Sequence, residues 1–488
     1  MPESPPVTTA RTTRGRMSDA QMYARFVSGD PAWNGAFFTG VITTGIYCLP
    51  SCRARKPKRE NVRFFPSCEA ARSAGFRACR KCHPDDFAHG ADPVLQDVEI
   101  LVQEVRARPA DFADGRALVR RSGFGVTRLF ELVRQHYHTT PHDLLLRARA
   151  DLVKRRLLDS AEPVAALALE AGFESLSVLH EHFRRLNGMT PQAYRDLGDT
   201  SHFRVLLPEG YPLGYLRRAF GRDPHSVTER LDADRFFAVV RLDGGPLGIE
   251  LHLGNEAVEV AVSQAHQAVE AHRVVVGWLG LEQNAAGFAR LVGKLGLGRL
   301  VEGREGLRLS QTPTVYDGLL WSVLGQQINL AFACLLRRRI TEKVGLPGPF
   351  GLRAPPAAAE VARLEPEELL PLQFSRQKAH YVVAIARQVA SGELPLEELR
   401  LASATRAERL LLAVRGLGPW SVNYVMMRAL GFGDCVPYGD TGVTSGLQAL
   451  FSLDERPDVD ATRRLMSVFS PHRSLATAHL WQLNRPIP

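Results

Sequence analysis

At 488 residues the chain is too long for one hydrophobic core, so about three or four domains are expected. Its 45% hydrophobic and 23% charged residues are those of a soluble globular protein, and no apolar run is long enough to span a bilayer. The net charge of +9 leans toward a polyanionic partner.

Residues 1–16 are rich in Pro, Thr and Arg and lack the apolar segment of a secretory signal. A disordered tail and a reducing, cytoplasmic setting are expected. Residues 17–92 form a cysteine block. Cys48 and Cys52 are four apart, Cys79 and Cys82 are three apart, and 26 residues separate the pairs. In a chain without export signals, clustered thiols point to metal or redox chemistry rather than disulfides. This spacing suits one tetrahedral four-cysteine zinc site, which as a bare pattern is more often a structural clip than a reactive centre. Residues 53–63 hold six Lys or Arg and one acid. Arg53, Arg55, Lys56, Lys58 and Arg59 are therefore expected to meet phosphate. Cys68 fits no ligand position.

Residues 93–198 are dense in helix formers, with two similar passages. In each a short helix ends at Gly-Phe (Gly123-Phe124 and Gly172-Phe173), and a following Ser or Thr can cap an amphipathic helix. Each passage closes on Thr-Pro, at Thr140-Pro141 and Thr190-Pro191. The pattern predicts a tandem pair of helix-turn-helix units, with recognition helices that include Thr127–Val133 and Leu176–Phe183. Residues 199–310 alternate β-branched runs with Gly-Gly and Gly-Asn turns, which predicts antiparallel strands among helices. From residue 311 to 488 the periodicity is helical.

The C-terminal block contains "LLAVRGLGPWSVNYVMMRALGFGDCVPYGDTGVTSGL". A helix leads into a tight turn at Gly416 and Gly418, where bare backbone can approach a phosphate at a helix N-terminus. A second turn presents Asp440 among small residues. With "WSVLGQQIN" and "HRSLATAHLW", this pattern resembles the helix-hairpin-helix superfamily of DNA glycosylases, and within it the AlkA type of 3-methyladenine glycosylase. The resemblance covers residues of about 200 to 488. It implies that Asp440 stabilises the cationic sugar as the glycosidic bond breaks, and that Gly416 and Gly418 grip the DNA backbone. Trp420, Tyr424 and Trp481 would line the pocket for the flipped base, where cationic alkylated purines favour aromatic walls. Gln327 would fill the gap that the base leaves. Tyr215 or Phe220 is expected to complete the pocket. The superfamily's glycosylase/lyases carry a lysine where Trp420 stands, so a monofunctional hydrolase is expected. No cysteine cluster follows Cys435, so no iron–sulfur cluster is expected.

The opening string "FFTGVITTGIYCLPSCRARKPKRENVRFFPSCEAARSAGFRACRKCHPDD" resembles the N-terminal domain of the Ada family, and the middle block resembles AraC-type helix-turn-helix pairs. The first cysteine of that family accepts a methyl group from a DNA methylphosphotriester, and its counterpart is Cys48. Zinc held by Cys48, Cys52, Cys79 and Cys82 would keep this thiol a thiolate. Methylation would then switch promoter binding. The Pro-Cys-His-Arg nucleophile of the family's usual C-terminal domain is absent from the sequence. The fold class implied is multidomain α+β. It comprises a small four-cysteine zinc domain (17–92), an all-α tandem helix-turn-helix domain (93–198), an antiparallel α+β domain (199–310) and an all-α helix-hairpin-helix glycosylase domain (311–488). Expected partners are double-stranded DNA, alkylated or carrying promoter sites, and RNA polymerase. The expected state is a monomer associated with the nucleoid. Two alternatives stand beside this reading: a glycosylase with a passive zinc and helix-turn-helix anchor, and a regulator whose glycosylase half is inactive.

Overall fold

The computed structural model describes residues 17–29, 33–52, 54–88 and 92–488. The expected tail at 1–16 and Arg53 lie outside them. The chain divides into two compact units, Met1–Ile100 and Leu101–Pro488. Among the described residues no helix is long and apolar enough to cross a membrane.

The first unit is built on a four-stranded sheet of β1 (Phe38–Val41), β2 (Ile46–Cys48), β3 (Val62–Phe65) and β4 (Arg77–Ala78), in the order β3-β1-β2-β4. β1 pairs antiparallel with β2 and β3, while β2 pairs parallel with β4. Gly40 sits where any Cβ would come within 2.6 Å of the Phe65 ring and 2.9 Å of the Phe76 ring, so these aromatics close directly over bare backbone. Because β2 and β4 run side by side, Cys48 at the end of β2 and Cys79 just after β4 arrive at the same edge. Cys68 is buried in the neighbouring core, its thiol donating to Pro84 O at 3.3 Å.

The second unit begins with the two helix-turn-helix passages. Helices Gly115–Ser122 and Val126–Tyr137 make the first, and Val164–Glu170 and Leu176–Asn187 make the second. The long helix Pro141–Asp159 joins them. Gly123 and Gly172 both take positive φ (68° and 84°) at the turns, as the Gly-Phe pattern requires. The expected side-chain cap is present at Ser175, whose hydroxyl accepts from Val178 N–H, while Thr140 and Thr190, where the passages close, cap the helices that follow by accepting from Asp143 and Ala193 N–H. The first recognition helix differs: Gly125 is its cap, without a side-chain bond, and Thr127 falls inside the helix.

Five antiparallel strands follow: β5 (His202–Leu206), β6 (Glu229–Asp232), β7 (Arg235–Leu242), β8 (Gly245–Leu253) and β9 (Ala257–Val262), in the order β5-β9-β8-β7-β6. The expected Gly-Gly and Gly-Asn turns connect β7 to β8 and β8 to β9. The remaining chain is helical. Helix Leu213–Phe220 faces two ways, since Leu216 and Phe220 enter the sheet core while Tyr215 enters the helical core. Helix Ala285–Lys294 packs through Phe288 and Val292 against Leu447 and Leu480 of the last helices and Phe469 in the turn between them.

The helix-turn-helix passages are not tethered beads. Leu186, Met189, Tyr194 and Leu197 share one core with Val205, Val258 and Val274 of the sheet region. His272 Nε2 donates to Asn187 O at 2.8 Å. At the other end, the His136 ring nitrogen lies 2.8 Å from Thr405 Oγ1, and Asp434 N–H donates to His138 Nδ1 at 3.2 Å. Asp434 also takes a bidentate contact from Arg473, at 2.7 and 3.0 Å.

Two buried histidines, His272 and His479, and the half-buried His138 make this unit acid-sensitive. Burial pulls His138 down to about 4, and His272 and His479 to about 3. As pH falls below about 6.5 the unfolded chain takes up protons that the folded unit refuses, so stability is lost progressively toward pH 4, by up to about 3 kcal/mol per histidine. The urea midpoint, followed by tryptophan fluorescence, is expected to decline over this window. His138→Asn, which tolerates the local φ of 53°, should flatten part of that decline.

Candidate functional site

In the first unit the sulfurs of Cys48, Cys52, Cys79 and Cys82 all lie within 4.8 Å of one another, and Cys52 Sγ to Cys79 Sγ is 4.0 Å. Sulfurs on a tetrahedral zinc, at about 2.3 Å from the metal, are about 3.8 Å apart. The donor set therefore fits that ion: four soft thiols at nearly the required spacing. Cys48, Cys52 and Cys79 are buried and Cys82 is partly exposed. So tight a cluster cannot hold four bare thiolates. Hydrogen bonds from the Cys48 and Cys82 thiols pull Cys52 down to about 2, and the same bond to Cys52 pushes Cys48 up. A divalent cation is the charge that would let all four ionise together.

The basic run divides in two. Arg55 and Lys58 are exposed, and Lys58 is only 4.0 Å from Glu60. Lys56 turns inward, donating to Cys52 O at 2.6 Å and Pro50 O at 3.3 Å, with its ammonium 4.0 Å over the Phe26 ring. Arg59 reaches Asp19 at 2.7 Å and lies over the Phe64 ring at 5.2 Å. Two of the expected phosphate contacts thus brace the fold around the cysteines.

In the second unit, helices Ala404–Ala413 and Pro419–Arg428 flank the Gly-Leu-Gly turn. Gly416 has φ 98°, and a Cβ there would come within 2.6 Å of the Tyr381 ring, so only glycine closes this hairpin. Gly418 is the exposed N-cap of the second helix. Gln326 Nε2 donates to Gly416 O and approaches Ser421 Oγ, both at 2.9 Å, and Lys378 Nζ donates to Leu324 O at 2.5 Å and Gln326 O at 3.1 Å. Burial pulls Lys378 down to about 8. These contacts tie the hairpin to the loop that presents Gln327, exposed and at φ 57°.

Asp440 caps helix Thr441–Phe451. Its Oδ1 accepts from Val443 N–H at 3.0 Å and Trp481 Nε1 at 2.9 Å, and its Oδ2 accepts from Trp420 Nε1 at 3.0 Å. Both indoles are thus aimed by one carboxylate. Trp420 and Tyr424, one helical turn apart, stack at 5.4 Å and 22°, and Trp481 lies 6.4 Å from Tyr424. Gly442 leaves room for this, since a Cβ there would meet Trp481 at 2.7 Å. The structure therefore brings together all four residues that the sequence proposed for the pocket and the catalytic position.

Between the two candidates from the sheet region, the placement differs. Tyr215 shares the helical core with partly buried Trp481, and Arg218 lies 5.5 Å over its ring while reaching Gln482 at 3.2 Å. Phe220 instead stacks on Phe236 in the sheet core. Sequence reasoning missed the supports Gln326, Lys378 and Tyr381. The adjacent glutamines of "GQQIN" carried a signal for the first, while the other two come from a helix with no local motif.

Three family models match. The metal binding domain of Ada matches residues 21–85, a helix-turn-helix domain 118–196, and the HhH-GPD superfamily base excision DNA repair protein 320–471. The chain joins all three domains. Its architecture is accordingly an Ada/AlkA-like repair and regulatory one. A probable bifunctional transcriptional activator/DNA repair enzyme AlkA of Mycobacterium tuberculosis is 28% identical over 95% of this chain and 96% of its own length. A DNA-3-methyladenine glycosylase of Bacillus subtilis is 35% identical over 36% of this chain, which spans only 60% of that relative. In fold, residues amounting to 58% of the chain match 99% of the 3-methyladenine DNA-glycosylase from Archaeoglobus fulgidus, with TM-score 0.51 and 21% identity.

The hairpin geometry makes a paired prediction. Gly416→Ala should destabilise the unit by at least about 2 kcal/mol, from positive φ plus overpacking on Tyr381. Gly418→Ala, with open space around its Cα, should stay within about 0.5 kcal/mol in the same urea titration.

Proposed function

We propose that the chain is an alkylation-repair enzyme and regulator with two separate chemistries. The C-terminal domain hydrolyses the bond between deoxyribose and an alkylated purine. The flipped base enters between Trp420, Tyr424 and Trp481, whose π-faces favour a cationic ring. As the glycosidic bond breaks, positive charge grows on the sugar, and the fixed carboxylate of Asp440 stabilises it and orients the attacking water. Gly416 and Gly418 hold the backbone at the hairpin, while Gln327 occupies the vacated stack. The observation that carries this reading is Asp440 held by two indole N–H groups from different helices.

The N-terminal domain accepts a methyl group on Cys48. The methyl carbon leaves a phosphotriester oxygen for sulfur, a thioether forms, and the phosphodiester anion is released. Zinc bound to the four cysteines supplies a stable thiolate at neutral pH. Arg55 and Lys58 approach neighbouring phosphates. Loss of one sulfur charge lowers repulsion with DNA, and the helix-turn-helix helices Val126–Tyr137 and Leu176–Asn187 then read promoter sites for RNA polymerase. The protein works as a monomer in the cytoplasm, on the nucleoid. A second reading has one observation in its favour: Cys82 is more exposed than the buried Cys48, so the accepting sulfur would be Cys82.

Asp440→Asn keeps a helix-capping oxygen and should fold. Excision of 3-methyladenine from duplex DNA is expected to drop at least about 100-fold, with zinc content unchanged; undiminished excision would sink the assignment. Peptide mass spectrometry after incubation with methylphosphotriester DNA should find one added methyl group on Cys48, and none in Cys48→Ser. A methyl group on Cys82 would transfer the role, and an unmethylated cluster would leave the cysteines a structural clip.

A further inference from the structure

A cavity of about 390 Å³ lies between strand β7 and the helical bundle, and none of Asp440, Trp420, Tyr424 or Trp481 lines it. Its volume falls within the range of small-molecule sites. Part of the wall is aromatic. Phe220 stacks on Phe236 at 3.9 Å and 12°, and Trp278 meets both rings edge-on, at 6.0 and 5.6 Å.

The rest of the lining carries four arginines and four acids, unevenly paired. Arg337 pairs with Glu229 at 3.1 Å and with Asp317 at 3.5 Å. Arg241 is matched by Glu360, and Glu397 by Arg400, while Asp243 is exposed near Arg273. Arg222 and Arg428 have no ion pair within 4 Å among the described residues, although Arg222 faces Glu229 and Arg428 faces Asp317; Arg222 lies 4.7 Å over the Trp321 ring. Arg428 is the more confined. Its Nε is sealed from solvent without a hydrogen-bond partner, and so is the hydroxyl of Tyr316, which also lines the cavity. Burial pushes the Arg428 guanidinium below its ordinary value. Tyr424 hydrogen-bonds the same guanidinium, yet a sealed N–H and an idle hydroxyl are each costly unless something occupies the space they border.

We propose that this cavity binds a small aromatic anion, with its ring against Phe220, Phe236 and Trp278 and its anionic group on Arg428 and Arg222. Tyr316 donates the additional hydrogen bond. A mononucleotide and a free aromatic carboxylate share this chemistry, and the experiment separates them.

Isothermal titration of the full-length, zinc-loaded protein with AMP, adenosine and 1-naphthoate provides the test. Saturable one-to-one binding of AMP, of 1-naphthoate or of both is expected, and which anion binds identifies the source. Adenosine, lacking the anionic group, should bind at least tenfold more weakly than AMP. Arg428→Gln should weaken the anion at least tenfold. Ala219→Phe, which fills the cavity from helix Leu213–Phe220, should do the same without removing any charge. Asp440→Asn should leave binding unchanged. The proposal is overturned if neither anion saturates, if adenosine equals AMP, if Ala219→Phe binds like the parent, or if binding disappears with Asp440→Asn.

Discussion

One carboxylate organises the catalytic half. Asp440 accepts hydrogen bonds from Trp420 on the hairpin helix, from Trp481 on the last helix and from the N-terminal turn of its own helix. Three segments far apart in sequence are therefore fixed by two oxygens. Both indole rings have their rotation set by the N–H that each donates, so the shape of the aromatic wall depends on the acid it surrounds. The neighbouring glycines follow from the same demand for space. Gly442 lets Trp481 approach and Gly416 lets Tyr381 seat the hairpin.

The cysteine cluster obeys the opposite logic. There the polar atoms converge without enough opposite charge, and the surroundings supply only part of it. Lys56 is folded back onto carbonyls beside Cys52, near enough that the thiolates favour its charged form although burial pulls its pKa down. A basic stretch that looks like a uniform phosphate-binding strip is divided between bracing residues and exposed ones. A side chain's exposure is settled by aromatic neighbours such as Phe26 and Phe64, which the linear run does not reveal.

Much of the plan was legible in the sequence because it rests on local rules. Four cysteines at metal spacing, Gly-Phe turns and a Gly-Leu-Gly hairpin each state their geometry within a few residues. The direction of the Trp420 and Trp481 N–H groups was not legible, since it depends on packing between helices 61 residues apart in sequence. The choice between Tyr215 and Phe220 was hidden for the same reason. Both lie on one helix, five residues apart, and only the third dimension assigns them to different cores. The Gly125 cap, where a hydroxyl was expected, marks a helix start held by backbone alone.

The core shared by Leu186, Met189 and Tyr194 with Val205 and Val258 bears on how such a chain is inherited. Only a turn of four residues, Asp196–Asp199, separates the last helix of the helix-turn-helix region from the first stretch leading to β5. A recombination that cut there and joined a foreign catalytic half would leave these side chains facing an unrelated surface, with Asn187 O stripped of the His272 donor. The donor gene would have to bring the matching valines and the histidine with it. Ancestry at this seam is therefore written in pairs of residues on either side of the cut, not in either half alone.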